Sequence, residues 1–119
     1  MGYLHINNLY RCQDILLFKE CYAMEKIHGT SANVSWRNEG TVCFSAGGAK
    51  HETFVSLFNE PDLITRFTAL GHAKVVVYGE AYGGKMQAMS KTYGPSLRFT
   101  AFDVKIGDTW LTVPDAEDV

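Results

Sequence analysis

At 119 residues and 13.3 kDa the chain has room for one domain with a buried core, and not for two. Its composition, 46% hydrophobic and 20% charged, is that of an ordered globular protein and excludes disorder as the main description. A net charge of −2 excludes attachment to nucleic acid by bulk charge alone, although a local basic groove stays compatible with it.

The N-terminus, MGYLHINNLYR, lacks a basic-then-apolar leader pattern, and position 6 is Ile6 where a myristoylation signal needs Ser or Thr. The longest apolar runs, Ile15–Phe18 and Val75–Tyr78, are far too short to span a bilayer. Cys12, Cys21 and Cys43 are odd in number and form no C-x-x-C pair. Reduced thiols, a cytoplasmic location and no zinc centre are therefore expected.

Residues 1–11 have no clear periodicity. Asp14 to Glu20 reads as a short helix packing Leu16, Leu17 and Phe18. Tyr22 to Ile27 reads as a strand. Ala32, Val34 and Trp36 alternate with polar residues as in a half-buried strand, Arg37-Asn38-Glu39-Gly40 is turn chemistry, and Thr41 to Ser45 returns, so 31–45 reads as a hairpin. Gly47-Gly48 ends that strand, and His51 to Phe58 is compatible with a short helix. Asn59-Glu60-Pro61 is a helix start, Leu63, Ile64, Phe67 and Leu70 keep helical spacing, and Gly71 is the expected C-cap. Lys74 to Ala81 is a strand and Gly83 to Ser96 a glycine-rich loop. Leu97 to Ile106 is a further strand, and Gly107-Asp108 turns into Trp110-Leu111-Thr112. The expected class is α+β, with a mainly antiparallel sheet and short helices.

Three stretches could carry chemistry. Glu25-Lys26-Ile27-His28-Gly29-Thr30 puts a lysine at a strand end, where desolvation can lower its pKa as a nucleophile requires, beside a glycine that permits close backbone approach. Tyr78 to Lys85 places Glu80 in an apolar strand, which is costly unless the carboxylate faces a site. The same stretch has the G-x-x-x-x-G-K spacing of a phosphate-binding loop in Gly79 and Gly84-Lys85. Met86 stands where the metal-binding Ser or Thr belongs, however, and Glu80 would oppose a phosphate. In Arg98 to Ile106, strict alternation would place Phe99, Ala101 and Asp103 on one face and Phe102 and Val104 on the other. An aromatic there could stack on a base.

The order Lys-x-His-Gly, then a strand with Gly-Glu, then Phe-x-Ala-Phe-Asp resembles the covalent nucleotidyltransferases. It is most similar to the ATP-dependent RNA ligases that seal nicks in duplex RNA, whose first motif reads Glu-Lys-x-His-Gly-Thr. DNA ligases and capping enzymes usually have Asp at the position of His28. The resemblance runs from about Tyr22 to Trp110. It implies an adenylation domain in which Lys26 attacks the α-phosphate of ATP and carries AMP as a phosphoramidate, with Mg²⁺ or Mn²⁺ as cofactor and RNA 5′-phosphate and 3′-hydroxyl ends as partners. It implies that Glu25 reads the adenine amino group and that Ile27 and Gly29 shape the nucleotide site. His28 and Thr30 would support sealing. Glu80 would hold the ribose or a metal, Phe102 would stack on adenine, and Asp103 would sit beside the site.

The sequence also departs from that family. Its fourth motif, Glu-Gly-x-Val, is spelled by Glu39-Gly40-Thr41-Val42, but this lies in a hairpin turn ahead of the Glu80 strand and is a decoy. No Lys-x-Lys motif occurs, and no arginine follows the hairpin, so Lys50 or His51 would have to substitute. The expectation is the N-terminal part of an adenylation domain, incomplete as it stands, with open sheet edges that invite a homodimer. The alternative is a non-catalytic nucleotide-binding or interaction module derived from a ligase.

Overall fold

The computed structural model describes residues 3–83 and 96–119. Five antiparallel strands form one sheet: β1 (Thr30–Arg37), β2 (Thr41–Ala46), β3 (Lys74–Gly83), β4 (Leu97–Ile106) and β5 (Thr109–Trp110), in the order β2-β1-β3-β4-β5. Helices α1 (His51–Val55) and α2 (Glu60–Leu70) separate β2 from β3, and α3 (Val113–Asp118) follows β5. The architecture is α+β. Among the described residues no helix is long and apolar enough to cross a membrane.

Local chemistry accounts for most of these elements. The β1–β2 hairpin turns at Gly40, whose φ of 89° suits a residue without a Cβ. At α2 the Asn59 side chain accepts a hydrogen bond from the Asp62 N–H, Pro61 sits in the first turn, and Gly71 closes the helix in the left-handed conformation. Helix α3 was not foreseen, yet its start follows the same rules. Thr112 caps it by accepting from the Asp115 N–H, with Pro114 in its first turn.

One face of the sheet is closed by the helices. Ala32, Val34, Trp36, Val75, Ala81 and Val104 are buried there with Phe54 of α1 and Phe67 of α2. The rings of Phe54, Phe58 and Phe99 pack mutually at centroid distances of 5.2–5.6 Å, and Trp36 stacks on Phe67 at 5.9 Å. Gly79 belongs to this arrangement. A Cβ there would strike the Thr100 carbonyl and come within 2.7 Å of the Phe99 ring.

Three expectations are corrected. Tyr22–Ile27 pairs with no strand. The free edges of the sheet belong to β2 and β5, and residues 22–27 pair with neither. The helix expected at Asp14–Glu20 is a single 3-10 turn over Asp14–Leu17 that buries nothing, and Leu17 is 83% exposed. One turn without a packing surface cannot recover the cost of helix nucleation. Leu111-Thr112 lies beyond the last strand, Thr109–Trp110, although the Leu111 N–H still donates to the Val104 carbonyl at 3.0 Å. The Gly84-Lys85-Met86 part of the phosphate-loop spelling, and all but the ends of the loop expected over 83–96, lie outside the described residues.

Candidate functional site

The opposite face of the sheet is set by a bulge. Tyr78 pairs with Asp103 but Gly79 pairs with Ala101, so Phe102 is an extra residue in β4. The bulge reverses the alternation read from the sequence. Phe99 and Ala101 share the helix-covered face with Val104, whereas Asp103 joins Tyr78, Glu80 and Thr100 on the other face. Grouping Asp103 with Phe99 and Ala101 is therefore corrected, and so is grouping Phe102 with Val104. One inserted residue moves a carboxylate to the face that carries Glu80.

Gly29 brings the lysine segment onto this face. A Cβ at Gly29 would collide with the Ala81 carbonyl and sit 3.0 Å from the Tyr82 Cβ. Only glycine lets the chain pass this close to β3 on leaving β1. Thr30, the first residue of β1, faces the loop after β2, where its Oγ1 accepts a hydrogen bond from the Gly48 N–H at 2.9 Å.

A cavity of about 530 Å³ results, lined by Glu25, Lys26 and Ile27 on one side and by Glu80, Thr100, Phe102 and Asp103 on the sheet. The structure thus brings together six of the residues singled out in the sequence. His28, Gly29 and Thr30 do not line the cavity. His28 nevertheless lies close enough to act on Glu80 electrostatically. Lys50 and His51 stand exposed at the start of α1 and do not line it either. Lys26 is exposed, on a segment with no ladder pairing, so the desolvated strand end expected for it is not formed.

Glu80 is the unusual group. Its Oε2 is buried and has no hydrogen-bond partner among the described residues. Burial raises its carboxyl pKa, and the charges of Lys26 and His28 oppose that rise without cancelling it. Asp103 is already committed. Its Oδ2 accepts from the Tyr3 hydroxyl at 2.8 Å and its Oδ1 from the Val104 N–H at 3.0 Å. Among the described residues no three His, Cys, Asp or Glu side chains converge as a metal cage. One unsatisfied carboxylate beside a lysine fits a Mg²⁺ or Mn²⁺ ion shared with ligand phosphates, and does not fit an ion held by protein alone.

The sequence reading missed the aromatic wall. Tyr3 packs edge-on against Tyr78, Phe102 and Trp110 at 5.3, 5.1 and 5.3 Å, and Lys105 lies 5.3 Å over the Trp110 ring. Tyr3 lies in a stretch without periodicity, so no local signal marked it. Leu4, His5 and Ile6 line the cavity beside it.

Comparison with protein-family models, with curated proteins and with solved structures finds no match to this chain.

Proposed function

We propose that this chain is a nucleotidyltransferase domain of the RNA-ligase type, in which Lys26 takes AMP from ATP as the first step toward sealing RNA 5′-phosphate ends. The observation that carries the reading is the convergence of Lys26 with the unsatisfied Glu80 carboxylate and Phe102 in one cavity large enough for a nucleotide, from three distant parts of the chain. In this reading the Lys26 amine attacks the α-phosphorus and pyrophosphate leaves with the electron pair of the broken P–O bond. Glu80 would hold a divalent cation, which when bound would supply charge neutralisation at the phosphates. Phe102 offers a flat surface to the base, and Glu25 stands at the cavity rim to accept from an exocyclic amine. The lysine must shed its proton before attack. Because Lys26 is exposed, closure over a bound nucleotide has to supply the desolvation.

That exposure also supports a second reading, a module that binds nucleotide without turnover. Calorimetry with ATP and Mg²⁺, run beside intact-mass analysis, separates the two. Transfer predicts binding and one adenylyl group on wild type. The binding module predicts binding with no mass gain. Loss of binding in Glu80→Ala is expected in both, and an affinity for ATP unaffected by Glu80→Ala would count against this cavity as the site.

A further inference from the structure

Tyr3 is the residue of this face that the proposed chemistry leaves unused, and its surroundings are well defined. Its ring is held on three sides by Tyr78, Phe102 and Trp110, and its hydroxyl donates to Asp103 Oδ2. The next three residues line the cavity as well and are exposed. We infer that Tyr3 is a positioning residue of the nucleotide site, clamping Phe102 and Asp103 so that the base meets a fixed aromatic surface and Glu80 alone is left for the cation. The inference rests on the nucleotide reading above and adds a residue to it.

The geometry makes two separate contributions. Phe102 occupies a bulge, where no cross-strand partner fixes its ring, and the edge-on contact with Tyr3 at 5.1 Å and 89° supplies that restraint. Asp103 points to the same face as Glu80, and without the Tyr3 hydroxyl its Oδ2 would be a second acceptor in the cavity. Binding then loses in two ways when the clamp is removed. A looser stacking surface must be ordered by the ligand, and a second carboxylate oxygen competes for the cation or repels the phosphates.

The test is ATP affinity by calorimetry with Mg²⁺, measured on the full chain for wild type, Tyr3→Phe, Tyr3→Ala, Asp103→Asn and the Tyr3→Phe/Asp103→Asn double variant. Adduct formation at saturating ATP is followed in parallel. Tyr3→Phe keeps the ring, so it folds even where Tyr3→Ala does not. The Kd of Tyr3→Phe is expected to rise roughly tenfold, the scale of a lost hydrogen bond to a charged group. Adduct formation at saturating ATP should fall by less than about twofold, since the lysine is untouched. Asp103→Asn keeps an acceptor for the Tyr3 hydroxyl but removes the charge, so in the double variant no freed carboxylate opposes the phosphates and part of the affinity lost in Tyr3→Phe should return. An unchanged Kd in Tyr3→Phe, or strictly additive losses, would overturn the inference. So would tighter binding by Tyr3→Ala, because the ring would then occupy the nucleotide's own place. Wild type that binds no ATP would overturn the nucleotide reading itself and this inference with it, an outcome distinct from all the others.

Discussion

The two faces of the sheet are built from the same strands and do opposite things. The helix-covered face is apolar, its rings pack against one another both edge to face and stacked, and no titratable group is among its buried residues. The other face carries Glu80, Asp103, Tyr78 and Thr100, and the residues that line its cavity from outside the sheet come mainly from segments that form no helix or strand. What separates them is regularity. The covered face follows strict strand alternation over β1 and β2, while the open face depends on one bulged residue and one glycine. Stability is concentrated on the first face and candidate chemistry on the second.

The largest contrast comes from paired ring deletions. Phe54 is fully buried, so Phe54→Ala should cost about 3–5 kcal/mol in denaturant unfolding. Phe102 is half-buried and lines the cavity, so Phe102→Ala should cost less stability and more nucleotide affinity. Equal stability losses in the two would erase the distinction between the faces.

Gly29→Ala sharpens the comparison from the backbone side. The added Cβ meets the Ala81 carbonyl, so the 25–28 segment must move off β3. Nucleotide binding should fall at least tenfold with only a small change in thermal midpoint, since the segment buries little. A variant that binds as wild type would show that the close approach is not needed to bring Lys26 to Glu80.

Glu80→Gln should act oppositely on function and stability. Burial raises the Glu80 pKa, so the folded state holds the proton more tightly than the unfolded chain does. The stability gained from protonation is full below the ordinary value of 4.5 and is lost as pH rises through the raised value. Glu80→Gln should therefore be more stable than wild type at neutral pH, with the difference closing as pH falls toward 4.5, while metal-dependent binding is lost. Thermal melts across that range check the sign.

The smallest effect concerns Tyr3, whose pKa is pushed up to about 12 by burial first and then by its hydrogen bond to Asp103. The unfolded tyrosine ionises near 10, so the contribution of Tyr3 is intact below pH 10 and declines as pH rises toward 12. Tyr3→Phe should melt with a shallower alkaline decline than wild type between those limits. Parallel curves would mean that the hydroxyl is not held as described.

The sequence was most legible where the determining interactions are local. The hairpin, the Asn59 and Gly71 caps of α2, the extent of β4 and the start of β3 were read as they stand, while β3 runs on to Gly83, past the expected end at Ala81. The convergence of Glu25, Lys26, Glu80, Phe102 and Asp103 came from motif order, and the cavity gathers those residues. The face of Asp103 was not readable, because a bulge obeys no period. The strand expected at Tyr22–Ile27 finds no ladder partner, and pairing is a property of the whole sheet that a local pattern does not carry. Tyr3 was invisible because its partner Asp103 is 100 positions away.

The central claim is that Lys26 is a nucleophile toward ATP. Intact mass after incubation with ATP and Mg²⁺ or Mn²⁺, for wild type and Lys26→Ala, tests it most directly. The account predicts a gain of one adenylyl group in wild type, acid-labile as a phosphoramidate is, and none in Lys26→Ala. No gain in wild type, or the same gain in both proteins, would contradict it.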